Sequence, residues 1–161
     1  MGFILGTRSR AHLVGVHPDL VRVVEHAIAI TTQDFSVDEG LRSIESEARH
    51  VANGTSHTMN SRHLKQRDGF GHAVDCVPFV NGRSLWALPA MVQWNFIYPV
   101  AAAMQTAAIE EQIRIRWGGA WDRVLNDLPR GPSSLKTAVA NYCTRHDGPD
   151  FLDGPHFELC P

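Results

Sequence analysis

The stretch Asn60–Cys76, NSRHLKQRDGFGHAVDC, places His63, His72 and Asp75 around a loop rich in glycine and charge. A fold gains little from burying such a segment, so these side chains call for a chemical explanation. Neutral imidazole and carboxylate are natural ligands of a divalent metal, and a catalytic zinc keeps three protein ligands with the fourth position open to water. Two ligands from this segment and a third from a distant strand would complete such a set. Of the nine histidines, His12, His17, His26 and His50 lie on or beside expected helices among polar neighbours and read as surface or capping groups. His57, His63, His72, His146 and His156 fall in loops or at strand ends, where functional residues concentrate. A site would draw on these five. No spacing among them matches HExxH or another self-sufficient motif, so spacing by itself leaves the choice open.

The elements that must position these groups are legible in outline. From Pro18, PDLVRVVEHAIAI puts Leu20, Val23, Val24, Ala27 and Ile28 on one helical face, with proline in the first turn. DFSVDEG alternates Phe35 and Val37 with polar residues as a half-buried strand does. SIESEARHVANG then carries glutamates early, Arg49 and His50 late and Gly54 as a stop, the charge order of a helix. HAVDCVPFVNGRS alternates again and closes in an Asn81-Gly82 hairpin turn. LPAMVQWNFIYPVAAAMQTAAIEEQ is a long helical pattern that Pro99 should kink or break. IRIRWGG sets Ile113, Ile115 and Trp117 on one strand face; glycine, proline and aspartate then dominate until a short terminal strand at PHFELC. Helices gathered beside a small antiparallel sheet make an α+β domain.

Composition narrows the function classes. With 161 residues, 43% hydrophobic and 20% charged, the chain fits one domain, 1–161, with a real core. A net charge of -2 and a pI near 6.5 leave no basic footprint for a phosphate backbone, so no nucleic-acid partner is expected. No apolar stretch reaches membrane-spanning length, and the N-terminal apolar run precedes its arginines, the reverse of a signal peptide. A cytoplasmic protein with no membrane partner is expected. Cys76, Cys143 and Cys160 are odd in number, widely spaced and without CxxC, and read as reduced, mostly buried thiols. Trp86 and Trp94 read as core, whereas Trp117 and Trp121 are either core or the lining of a groove.

The order SRH, GHAVD and DGPHFEL resembles the zinc peptidases that include D-alanyl-D-alanine carboxypeptidases, dipeptidases and phage L-alanyl-D-glutamate endopeptidases. Their pattern is S-x-H, a short gap, G-x-A-x-D, then D/E-x-x-H. EGLRS, with its arginine after the first strand, and WGGAWD, close to W-G-G-D-W, extend the likeness from Glu39 to Glu158, and the VGVHPDLVRVV start is typical of the phage endolysin branch. The likeness implies a small antiparallel sheet with helices packed on one side and zinc in an open groove on the other. It implies His63, Asp75 and His156 as zinc ligands, Asp153 as general base and Arg42 as a clamp on the developing oxyanion. Ser61 is implied as a substrate contact. Arg42 as an ion pair with Glu39 or Glu45 is the plain alternative. Twelve positions separate His63 from Asp75 where the family usually has about seven, so KQRDGF reads as an insertion between two ligands; Ala120 replaces a family aspartate.

His72 occupies a variable position of the motif and is expected beside the ligands or at the surface, while His57 suggests at most a turn or substrate-edge role. Asp147 and Asp150 read as loop solvation. The function implied is a phage endolysin that hydrolyses a stem-peptide bond of bacterial peptidoglycan, acting as a monomer held in the host cytoplasm until lysis. The bond between L-alanine and D-glutamate is favoured, because only Arg62, Lys65 and Arg67 lie near the motifs and the last two belong to the insertion. A D-Ala-D-Ala carboxypeptidase and a non-catalytic zinc-containing wall-binding module are the rivals.

Overall fold

The protein, seen in a computed structural model, is described over residues 2–56, 58–148 and 150–161. In chain order its strands are β1 (Phe35–Glu39), β2 (Ala73–Val80), β3 (Arg83–Ser84), β4 (Ile115–Gly118) and β5 (Asp153–Leu159). The antiparallel sheet runs β1-β2-β5-β4, and β3 folds back on β2. Asn81 and Gly82 join β2 to β3 with φ of 49° and 76°, the two left-handed residues that a tight hairpin turn requires.

Among the described residues five α-helices accompany the sheet: α1 (Thr7–His12), α2 (Pro18–Ile30), α3 (Ile44–Ala52), α4 (Ala90–Glu110) and α5 (Pro132–Arg145). α4 packs on β2, β4 and β5, and α2 and α5 pack in turn on α4. Contact on both sides explains why α4 is apolar nearly all round. It also explains why Pro99 does not end the helix, contrary to the expected break: burial of Ile97, Val100, Ala101 and Met104 around it outweighs one lost backbone hydrogen bond. Val74, Cys76, Ile115, Trp117 and Phe157 join these helices in one continuous apolar cluster. α3 stands apart from this layer, beside the groove on the opposite face, with His50 in the groove lining.

Two helices went unread in the sequence. α1 is short and largely polar. α5 begins with Pro132 in its first turn and buries Leu135, Ala138, Val139 and Tyr142, a regular i, i+3, i+4, i+7 stripe set in a segment that composition had marked as loop. Trp86 is also placed differently from expectation: it is 58% exposed and lines the groove, because its neighbour Leu85 takes the buried position on the turn Leu85–Ala87. Trp117 is core, and Trp94 packs against it with ring centroids 6.2 Å apart.

The strand that carries the last motif is irregular where it must be. Residues three apart on a regular strand face opposite sides, which would separate Asp153 from His156. Instead, Trp117 pairs with Phe157 while the next residue, Gly118, pairs with Asp153, leaving residues 154–156 as a bulge against β4. The bulge accommodates Pro155, which could not donate to a regular ladder, and lets Asp153 and His156 line one groove. Trp117 Nε1 donates to the Gly154 carbonyl at 2.7 Å, satisfying a backbone group that the bulge would otherwise strand. Gly118 is required at the crossing, since a Cβ there would lie 2.0 Å from the Asp153 carbonyl oxygen.

Gly118→Ala is therefore expected to lower stability by about 1–3 kcal/mol, the usual range for overpacking, and to lower wall hydrolysis by displacing Asp153. Thermal denaturation and activity of the variant measure both. Parental values for the two would show that the close approach is dispensable.

Candidate metal centre

The register of the sheet assembles the centre. Asp75 on β2 stands directly opposite His156 on β5 and Glu39 on β1, so these side chains share a face. His63 comes from the loop before β2, and its backbone is tied down on both sides. Its N–H donates to Ser61 Oγ at 3.2 Å, and its carbonyl accepts from Arg42 N at 2.9 Å. His63 Nε2, His156 Nδ1 and Asp75 Oδ1 then form a triangle with sides of 3.2, 3.2 and 3.3 Å.

The outward atoms decide what this triangle is. His63 Nδ1 lies 2.8 Å from the Gly40 carbonyl, an acceptor only, so Nδ1 carries the hydrogen and Nε2 turns its lone pair inward. His156 Nε2 lies 3.0 Å from Glu158 Oε2, so Nε2 is the donor and Nδ1 is the inward lone pair. Glu158 is held in turn by Arg116 Nε at 3.0 Å. Three acceptors thus converge, each imidazole oriented from behind by a carbonyl or carboxylate, as metal-binding histidines usually are. A tetrahedral divalent ion with ligand distances of about 2.0–2.1 Å needs ligand atoms about 3.3 Å apart, the spacing observed. His63, Asp75 and His156 fit a metal ion.

Protonation follows the same logic. Burial opposes charge on His156, but Asp75 and Glu158 outweigh it and push its pKa up to about 10. Burial would raise Asp75, yet His63 and His156 hold it far below the usual carboxylate range. Without a metal, a proton on His156 takes the place of a cation between the acceptors.

A second group, His17, Asp68 and His72, also brings two imidazoles and a carboxylate together, but with the hydrogens reversed. His72 Nδ1 accepts from Arg62 Nη2 at 3.0 Å, so its Nε2–H donates to Asp68 Oδ2 at 2.7 Å. His17 Nδ1 accepts from Asp19 N at 3.2 Å, so its Nε2–H also points to Asp68 Oδ2, 3.8 Å away. Asp68, hydrogen-bonded to His72 and within 3.8 Å of His17, links the loop before β2 to the start of α2. His72 belongs to this cluster, and His146 lies 3.6 Å from Asp150 at the end of α5. His57 lies outside the described residues.

The metal centre opens into a groove of about 890 Å³ that Arg42, Ser61, Asp153, Trp86 and Trp121 also line. Asp153 is raised in pKa, chiefly by burial and then by the negative charge of Asp75, against the opposing pull of His156, His63 and Arg42. Arg42 is nearly buried and pairs with Glu39 and Glu47: Nε and Nη2 reach the Glu39 oxygens at 2.7 and 2.5 Å, and Nη1 reaches Glu47 Oε2 at 2.7 Å. Glu39 is a partner that the sequence had suggested, and the second is Glu47 in place of Glu45. Among the described residues, two of the five guanidinium N–H groups remain unspent. Trp121 stacks on Phe151 with centroids 6.1 Å apart and lies 5.1 Å from the His156 ring. Sequence reading missed Glu158 and Arg116; the spacing of Glu158 two residues after His156 on one strand face was the available signal. The Gly40 carbonyl had none.

The chain was compared with known proteins. The family profile of phage L-alanyl-D-glutamate peptidases matches residues 1–130. The L-alanyl-D-glutamate peptidase of Escherichia phage T5 is 30% identical over 128 residues, covering 76% of this chain and 84% of that protein. The crystal structure of the Serratia marcescens L-Ala D-Glu endopeptidase ChiX superposes with a TM-score of 0.69 at 35% identity, covering 98% of this chain and 90% of that one. The profile match ends before β5, and the structural match extends the likeness over nearly the whole chain. On these matches the chain belongs to the phage L-alanyl-D-glutamate peptidase family.

Proposed function

We propose that this chain is a zinc-dependent peptidoglycan endopeptidase that hydrolyses the bond between L-alanine and D-glutamate of the stem peptide, serving as a phage endolysin. The observation that carries the reading is the convergence of three lone-pair acceptors at tetrahedral spacing in an open groove. His63, Asp75 and His156 would hold the ion. When bound, zinc supplies Lewis-acid chemistry: it brings the ionisation of water to near pH 7 and polarises a carbonyl.

The chain's own residues carry the protons and orient the substrate. Asp153 acts as general base. Its carboxyl, raised by burial beside Asp75, is suited to take a proton from water and give it to the departing amine of D-glutamate. Arg42 directs its remaining N–H groups at the oxygen on which charge develops, an interaction that strengthens only in the transition state. Glu39 and Glu47 hold the guanidinium flat and in place for this. Ser61, on the same rim, contacts the peptide backbone of the substrate. A structural metal site would need neither Asp153 nor Arg42, which disfavours the non-catalytic wall-binding reading. Of the nearby cations, Lys65 and Arg67 stay out of the groove lining, whereas Arg62 and Arg116 line it, Arg116 paired with Glu158; the endopeptidase reading over the carboxypeptidase one is supported by the family match.

Residues 1–161 form one catalytic domain in this reading, supported by a single apolar cluster that runs from Leu5 to Leu159. Among the described residues no helix is long and apolar enough to cross a membrane. The enzyme is proposed to work as a monomer and to wait in the host cytoplasm until the wall becomes accessible.

Digestion of purified wall should expose new glutamate amino groups and release no free D-alanine; labelling of new N-termini reads both. Alanine release would transfer the chain to the carboxypeptidase reading. Asp153→Asn should keep about one zinc per chain and its fold while hydrolysis falls about 10²- to 10⁴-fold, and undiminished lysis of permeabilised cells by that variant would remove Asp153 from the base role.

Loading the metal is expected to release about one proton near pH 7 to 8, because His156 in the metal-free protein titrates only at about 10. Calorimetry in buffers of different ionisation enthalpy counts the proton. Since the folded value lies above the ordinary histidine value of 6.5, the stabilisation from that proton is complete below pH 6.5 and is lost as pH rises toward 10. The melting temperature of the metal-free protein should therefore fall across that window while zinc affinity rises. Parallel rises in both would contradict the assigned proton.

A further inference from the structure

The groove has two chemically different ends on either side of the metal centre, and the sheet register orders them. Ala73, Glu158 and Arg116 stand level with one another across β2, β5 and β4. Asp75 and His156 come next along β2 and β5. The hairpin end of β2 lies beyond, where Phe79 and Val80 pair with Ser84 and Arg83. The chain leaves β3 directly into the turn Leu85–Ala87, which packs on β2 and α4. Trp86 therefore lies beyond Asp75 on the side away from Arg116 and Glu158.

The Ala73 end carries charge. Arg62 reaches it through a hydrogen bond from Nη2 to the Leu159 carbonyl at 3.3 Å, and its other side-chain partners are the Gln66 amide oxygen and His72 Nδ1. Its positive charge suits the α-carboxylate that a γ-linked D-glutamate retains. The opposite end presents an indole that is 58% exposed, with no ring or hydrogen-bond partner among the described residues. Leu85 is fully buried and anchors the turn, so the backbone at Trp86 is held in position although its indole is bare. An exposed aromatic face projecting from a fixed turn beside a reactive centre is a platform for a flat, amphipathic group.

We propose that Trp86 stacks on the sugar ring that carries the scissile L-alanine, so that the substrate lies with its glycan toward the hairpin end and its D-glutamate toward Arg62. This rests on the L-alanyl-D-glutamate reading above, because the amine of that alanine is joined to the sugar through a lactyl group. One alanyl residue followed by a lactyl unit of similar length spans roughly 7 Å, and Trp86 lines the same groove as Asp75. The C–H-bearing face of a pyranose fits the negative face of the indole, whereas the carboxylates of the stem peptide are repelled by it.

The test compares two substrates with the zinc-loaded enzyme: a disaccharide tetrapeptide and the same tetrapeptide without sugar. Trp86→Ala should raise KM about 5- to 10-fold on the sugar-bearing substrate, leave kcat within about twofold, and leave the free peptide unaffected. Trp86→Tyr, which keeps an aromatic face, should recover most of the loss. An equal change on both substrates, or none on either, would overturn the proposal. A second measurement does not depend on turnover. The Asp153→Asn protein with ¹⁵N-labelled tryptophan is titrated with the disaccharide alone, the Trp86 indole N–H being assigned by its loss in Trp86→Tyr. That signal should shift on titration, and a stationary signal in folded protein would also overturn the proposal. If the parent enzyme cuts another bond, its product termini reveal that separately, while the titration still reports on Trp86.

Discussion

Three atoms with inward lone pairs, two nitrogens and one carboxylate oxygen, sit 3.2–3.3 Å apart with both histidine side chains almost fully buried. Such a set is repulsive unless a cation or a proton lies between its members, and much of the surrounding structure serves to keep it assembled. The Gly40 carbonyl and Glu158 hold the imidazole hydrogens outward. Arg116 holds Glu158, and Arg42 ties the backbone of His63 to the segment after β1. Even the glutamate pair around Arg42, Glu47 buried and Glu39 partly exposed, belongs to this scaffold, because Glu39 stands directly opposite Asp75. Removing one outer partner frees a ring to change tautomer, and a single wrong tautomer closes the site to a metal.

The comparison of the two histidine clusters shows how little distinguishes a metal centre from an ordinary polar knot. Both contain two imidazoles and an aspartate. In one, backbone and carboxylate acceptors stand behind the rings and the lone pairs face in. In the other, a guanidinium and a backbone N–H stand behind the rings and the hydrogens face in. The donors and acceptors of the second layer decide the identity of each cluster, and they come from positions far apart in the chain.

Legibility in the sequence followed the range of the interactions. The hairpin at Asn81-Gly82, the apolar face of α2 and the three candidate ligand residues are carried by local pattern or by motif. Resemblance supplied what spacing alone left open among five histidines. The Gly40 carbonyl, the pairing of Arg42 with Glu47 and the bulge opposite Gly118 depend on register between segments distant in sequence, which no local window contains. Trp86 was misplaced for a related reason: bulk and apolarity argue for burial, but the turn has one inward position and Leu85 occupies it. The overlooked α5 is different, since its buried stripe was present and was masked by the glycine, proline and aspartate around it.

The loop between His63 and Asp75 closes on itself. The His72 N–H donates to the Arg62 carbonyl at 2.7 Å across its base, Gln66 pairs with Phe70 nearer its tip, and Gly69, at φ 92°, turns the chain. The contour length between two ligands is thereby uncoupled from the distance between them. A family member can lengthen this segment without retuning the centre, provided that the base remains pinned. For protein engineering, the exposed side of this loop at Arg67 is a natural graft point: a wall-targeting peptide spliced there would ride on the enzyme, provided that Asp68 keeps its bond to His72.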